Sequence, residues 1–213
     1  MNHANAGKVG SVRRELSQRE HEGRPVHALV AARVYGVDRD DLWDALTNAA
    51  RIPQWFLPIS GELRPGGSYQ FEGNAGGEIT ECEPPEHFVL TWRMHGDVSW
   101  VTVTLSQISE GRTEVRLEHL AKFPQEFWEE FGPGAVGIGW DQAMYGLDQH
   151  FSAAPSVVPE TAAAWLASDE GRDFTRRSSE AWCEASIALG TDEEAARAAA
   201  DRVAAFYMGE DPT

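Results

Sequence analysis

Residues 88–119 read FVLTWRMHGDVSWVTVTLSQISEGRTEVRLEH, and the alternation in this stretch decides the fold. Phe88, Leu90 and Trp92 alternate with Val89, Thr91 and Arg93, and His95-Gly96-Asp97 turns the chain. Val101, Val103 and Leu105 then share one face of a second strand, which Glu110-Gly111 closes into a hairpin. Val115, Leu117 and His119 alternate with Glu114, Arg116 and Glu118 in a third. A period of two with one apolar and one polar set predicts an antiparallel sheet, dry on one side and wet on the other.

Upstream, Gly66-Gly67 and Asn74-Ala75-Gly76-Gly77 bracket a strand that puts Tyr69 and Phe71 on one face. Glu78–Glu83 is the next strand, and Pro84-Pro85 makes a rigid corner. Val26–Tyr35, bounded by Pro25 and Gly36, reads as the first strand. Asp38 is placed to cap a helix carrying Leu42, Trp43, Ala45 and Leu46, with Asp40 and Asp41 at its positive end. Ile52–Phe56 reads as a short second helix that Pro58 ends.

Downstream the period changes to that of a helix. Gln125–Phe131 forms a short one, stopped by Gly132-Pro133-Gly134. From Ala135 to Phe151, Val136, Trp140, Met144, Leu147 and Phe151 make one continuous apolar face; Asp141, Gln142, Tyr145, Asp148 and Gln149 point in other directions. The economical packing lays this long helix across the dry face of the sheet. The expected class is therefore α+β, of helix-grip type: a curved antiparallel sheet around a long helix, with an apolar pocket where side chains do not meet.

The expected organisation is a mobile leader over 1–24 with a helical turn around Val12–Arg19, the helix-grip domain over 25–152, and a helical extension over 153–213. In the extension, Pro159–Ala167 is a short helix and Ser168 caps a longer one that Gly190 stops. Thr191-Asp192-Glu193-Glu194 reads as a capping box for a last helix with Ala195, Ala199, Val203 and Phe206 on one narrow face. Such a face must fold back on the main domain or join two subunits, so a homodimer through these helices is one expectation.

The ordered set of local patterns resembles a known family. Leu42-Trp43-Asp44-Ala45-Leu46-Thr47, Ile52…Trp55-Phe56 and Gly66-Gly67-Ser68-Tyr69-Gln70-Phe71 come first. Gly77-Glu78-Ile79 then leads to Glu83-Pro84-Pro85, followed by Phe88-Val89-Leu90-Thr91-Trp92, Thr113…Leu117-Glu118-His119 and Gly139-Trp140. From about Ala28 to Phe151 the chain is similar to the activator-of-heat-shock-protein-90-ATPase branch of the START-like, or SRPBCC, superfamily. The resemblance implies the helix-grip fold and a pocket between sheet and long helix. It does not imply one activity, since relatives include lipid carriers, polyketide cyclases and a eukaryotic co-chaperone domain. The co-chaperone role in that family depends on a further N-terminal domain, whereas only the short leader is expected ahead of the first strand here.

Trp55, Phe71, Leu90, Trp92, Val103, Trp140, Met144 and Leu147 are the residues expected to line the pocket, and core filling is the plain alternative for each. His119 is in phase with Val115 and Leu117, so it is either a general acid/base, a ligand-orienting group or a satisfied structural histidine. Trp100 is off phase with Val101 and is either exposed or shifted inward by a bulge. His87 and His95 fall at turns. Glu78, Glu81 and Glu83 alternate in face with no histidine at ligand spacing, so no metal is expected. No phosphate loop, dinucleotide fingerprint or nucleophile elbow is present, and no cofactor is expected. Gly132-Pro133-Gly134 gives the chain room to turn and to form a pocket lip.

The formal charge of −16 divides as +2 over residues 1–24, −11 over 25–152 and −7 over 153–213. Both folded portions repel phosphate backbones, which argues against nucleic-acid binding. Cys82 and Cys183 stand about a hundred residues apart and read as reduced thiols. The longest apolar runs fall short of a membrane span, and a cytoplasmic location is expected. The pattern favours a binding protein for a small apolar or aromatic molecule over an enzyme. A cyclase- or aromatase-like enzyme using the same pocket is the alternative, with a module regulating a chaperone ATPase as the third reading.

Overall fold

The computed structural model describes residues 9–152 and 159–210. Strands β1 (Arg13–His21), β2 (Arg24–Tyr35), β3 (Ile59–Gly61), β4 (Ser68–Phe71), β5 (Gly76–Glu83), β6 (His87–Met94), β7 (Asp97–Ser109) and β8 (Arg112–Ala121) form one curved antiparallel sheet. Its order is β1-β2-β8-β7-β6-β5-β4-β3. The helices are α1 (Arg39–Thr47), α2 (Gln125–Phe131), α3 (Gly134–Phe151), α4 (Pro159–Ala167), α5 (Asp169–Leu189) and α6 (Glu193–Tyr207), with Ile52–Gln54 a single 3₁₀ turn. The fold is α+β, of the helix-grip type.

The chain packs as two compact units whose division does not follow the expected one after residue 152. One unit joins residues 32–121 with 146–159; the other joins residues up to 31 with 122–145 and 160 onward.

The first unit is organised by the β7–β8 hairpin, in which Val101 pairs with His119, Val103 with Leu117 and Leu105 with Val115. All six side chains are buried, whereas Glu114, Arg116 and Glu118 on the other face remain half-exposed. Trp100 lies on that second face, between Thr91 and Leu120 in register, and no bulge draws it inward. Leu42 and Ala45 bury the inner side of α1. Asp38 stands at the N-cap, but its Oδ1 accepts from the Gly111 amide at 3.1 Å instead of from its own helix, tethering the β7–β8 turn. The last turns of α3 belong to this unit: Leu147 is buried, and Asp148 pairs with Arg33 of β2 at 2.6 Å.

The second unit corrects the expected leader. Arg13–His21 is a strand, not a helical turn, and Glu22 and Gly23, at φ 50° and 72°, turn it into β2. Its sequence lacks apolar alternation because the backbone ladder and one side chain hold it. That side chain is Arg14, which donates through Nε at 3.1 Å and Nη2 at 2.8 Å to Asp141 Oδ2 on α3. Ser178 Oγ and Trp182 Nε1, both on α5, donate to the same oxygen, the indole at 3.1 Å. Burial pushes the Asp141 carboxyl up, and the Arg14 charge and these hydrogen bonds oppose it.

Asp141, expected off the apolar face of the helix, is fully buried. Gly137 makes room for α5 on this side of the helix. A Cβ there would stand 2.3 Å from the Trp182 ring, so only glycine admits this close approach. Tyr145, Trp165 and Phe174 form an aromatic core with centroids 4.8–5.4 Å apart.

Ser168 caps α5 as expected, accepting from the Gly171 amide. At α6 the expected capping box is replaced: Asp192 is the N-cap and accepts from the Ala195 amide at 3.0 Å, while Thr191 Oγ1 bonds Ser186 Oγ. An aspartate at this position satisfies the free amides and suits the positive helix end. The buried side of α6 is Ala196, Ala199, Val203 and Ala204; Ala195 and Phe206 point away from it.

Removing Arg14 strands a buried carboxylate. Arg14→Leu is expected to lower the unfolding free energy by about 3–5 kcal/mol, measured by urea titration. Arg13→Leu, at an exposed pair with Glu15, should change it by less than about 1 kcal/mol. Equal effects from the two would contradict the clasp.

Candidate functional site

The sheet's dry face carries the site. Register places Ile79, Leu90, Val101 and His119 in one row across β5, β6, β7 and β8. One step along, Trp92 faces Ser99 across the β6–β7 pair. Ring contacts join these rows to the loop after α1. Trp55 and Phe56 lie 5.5 Å apart, Phe56 and Phe71 5.0 Å, Phe71 and Trp92 5.7 Å, and Trp92 and His119 6.3 Å between centroids. A continuous line of aromatic side chains thus runs from the 3₁₀ turn to β8, with tilted and edge-on contacts favoured by the ring quadrupoles.

Two hydrogen bonds pin the groups of this face, one at the start of the line and one beside it. The Trp55 indole donates to the Ala45 carbonyl at 2.9 Å, locking the loop to α1. The Tyr69 hydroxyl donates to the Thr91 carbonyl at 2.8 Å, and burial pushes its phenol up. Ile52, Tyr69 and Phe71 form the packed floor, while Phe56, Ile79, Leu90 and Trp92 rest on it only partly covered. Large apolar groups left half-exposed on an otherwise dry face are the informative feature, because packing alone would have closed over them.

His119 is the polar group of this face. It is 3% exposed, and burial draws its pKa down to about 4. Its Nε2 lies 2.7 Å from Ser99 Oγ, and the Ser99 hydroxyl donates to the Trp92 carbonyl at 3.1 Å. The Ser99 hydroxyl thus bridges the imidazole and the Trp92 carbonyl, and it can donate to or accept from Nε2 according to the tautomer. With a pKa near 4 the ring is neutral at physiological pH.

Of the residues expected at the site, Phe71, Leu90, Trp92 and His119 stand together and Trp55 joins them through Phe56. Val103 lies one row away, buried between Phe88 and Leu117 in register. Leu147 is buried within the same unit, whereas Trp140 and Met144 fall in the other unit, the first half-buried and the second buried. Phe56, Ile79 and Ser99 were not expected. Ser99 is in phase with Val101 and Val103, and that alternation was the signal for it.

Among the described residues no group of three or more His, Cys, Asp or Glu is placed to hold a metal ion. Cys82 and Cys183 are free thiols, both pushed up by burial. His87 sits beside Glu81 and Glu83, at 3.6 and 3.8 Å, away from the dry face. No described helix is long and apolar enough to cross a membrane.

Comparison with known proteins agrees with this architecture. The family profile "Activator of Hsp90 ATPase homolog 1-like protein" matches residues 37–152, just over half of the chain. The crystal structure of CalU16 from Micromonospora echinospora is 29% identical, covering 82% of this chain and 97% of its own, with a TM-score of 0.64. The solution structure of CalU16 gives 27% identity, coverage of 84% and 97%, and a TM-score of 0.69. PFC0360w, an HSP90 activator from Plasmodium falciparum, shares the fold at 23% identity, with coverage of 60% and 97% and a TM-score of 0.51. No curated protein matches the chain.

The buried imidazole makes stability depend on pH. With a folded pKa near 4 against an ordinary 6.5, the unfolded chain takes up the proton first as pH falls. Stability from this group is complete above about pH 6.5 and is lost progressively down to about pH 4, to the extent of about 3 kcal/mol. Urea titrations at several pH values should show this loss in the wild type and its reduction in His119→Gln. A His119→Gln profile parallel to the wild type would refute the assignment.

Proposed function

As the chain belongs to the Activator of Hsp90 ATPase homolog 1-like family, we propose that it binds a small, uncharged apolar or aromatic molecule on the dry face of its sheet. The observation that carries this reading is the aromatic line from Trp55 to Trp92, partly exposed at Phe56 and Trp92 and ending at the neutral His119–Ser99 pair. An uncharged site of this composition recognises shape and ring edges, with one polar group to set orientation.

An aromatic ligand that buries about 300 Å² of apolar surface gains on the order of 7 kcal/mol before the cost of association. Affinity in the micromolar to millimolar range follows. The same chemistry argues against proton transfer by His119. A group titrating near pH 4, with its Nε2 engaged by Ser99, is poorly matched to acid/base work at neutral pH. The histidine orients a ligand better than it moves a proton.

The uncharged fluorophore N-phenyl-1-naphthylamine tests the reading. Its emission should rise saturably on titration with the protein, with a Kd on the order of 10–100 µM, and Trp92→Ala or Phe56→Ala should weaken binding by about tenfold. A linear, unsaturable rise, or saturation that both variants leave unchanged, would refute the site.

A further inference from the structure

A second surface, on α2 and α6, has no part in that site. Phe206 is 66% exposed and Phe127 38%, the former the most exposed large apolar side chain among the described residues. They flank Phe131, with ring centroids 5.3 Å from Phe127 and 6.0 Å from Phe206. Phe131 also borders a cavity of about 140 Å³ whose walls include Trp128, Gly132, Ala196, Ala199 and Val203. A cavity of that order accommodates a benzene-sized group. The small side chains of α6 therefore make a socket, and the phenylalanines make an apolar shelf beside it.

The charge around this shelf is mainly negative. Glu126, Glu129 and Glu130 are exposed on α2, and Glu129 lines the cavity itself. Arg202, the cation that reaches α2, donates to the Glu129 and Glu130 carbonyl oxygens, not to their carboxylates. Among the described residues Glu126 and Glu130 have no ion-pair partner. An apolar socket with a mainly acidic rim complements an amphipathic helix that has a bulky apolar anchor and basic flanks. A second copy of this chain would bring a further −16, and an anionic lipid surface would be repelled likewise.

We propose that the α2–α6 face is a docking groove for a basic amphipathic helix of a protein partner, its apolar anchor seated in the socket and its Lys or Arg residues on the Glu126–Glu130 rim. The probe is a fluorescein-labelled peptide about 18 residues long, with Leu at helical spacing, a single central Phe and Lys elsewhere. Two controls have the same composition scrambled, or Glu in place of Lys. Fluorescence anisotropy at physiological salt should give a Kd on the order of 10 µM for the patterned peptide, and at least about tenfold weaker binding for both controls.

Phe206→Ser and Phe127→Ser should each weaken binding by about fivefold or more. Glu126→Lys with Glu130→Lys should weaken it and flatten its salt dependence. All four positions are exposed, and circular dichroism checks that the variants keep the fold. The proposal is overturned if the patterned peptide fails to bind below about 1 mM, if the scrambled peptide binds as well, or if the variants bind unchanged. Sedimentation showing a wild-type dimer that Phe206→Ser dissociates would assign the face to a second copy instead.

Discussion

Strand register on β6, β7 and β8 is the constraint on which the rest of the structure depends. Because side chains alternate faces, a slip of one residue would send Val101, Val103, Leu105, Val115 and Leu117 to water and bring Glu114, Arg116 and Glu118 inward. Burying three carboxylate or guanidinium side chains without partners costs far more than any hairpin turn could recover. The register is therefore fixed by the dry face, and it also places His119 beside Val101 and one diagonal from Trp92. Fold and candidate site follow from the same alternation.

That alternation was legible in the sequence, and so were the other strands except the short β3, the long helix and the short helix before it. The first strand was not. Arg13–His21 has no apolar side to advertise it, and only the Glu22-Gly23 turn marked a hairpin. The burial of Asp141 was not legible either: the sequence places it only off the apolar face, and charge usually labels a wet side, but here Arg14 compensates it inside the protein. A better signal was the composition of α3, in which Asp141 and Asp148 are the charged residues, with His150 beside them, over eighteen residues. A helix so apolar cannot leave a broad face in water. The α6 face was half legible: Ala199 and Val203 are buried, but Phe206 points outward.

The site was legible as a set of aromatic residues in phase, and its polar chemistry was not. Sequence places His119 on the dry face but cannot say that Ser99 is its hydrogen-bond partner or that burial keeps it neutral. Those facts depend on the pairing of β7 with β8 and on the depth of the ring. They also move the balance between readings, since a neutral, satisfied imidazole serves recognition. The acidic surface has a comparable double meaning. It repels polyanions everywhere, and beside exposed phenylalanines it selects for cationic, amphipathic partners.

The central claim is that an uncharged aromatic molecule rests on the dry face between Phe56 and His119. Backbone amide chemical shifts recorded during titration with N-phenyl-1-naphthylamine test it most directly. The expected result is a set of saturable changes confined to Ile79, Leu90, Trp92, Ser99 and His119 and the loop around Phe56, with α6 unmoved. Changes centred on any other surface, with those amides still, would contradict it.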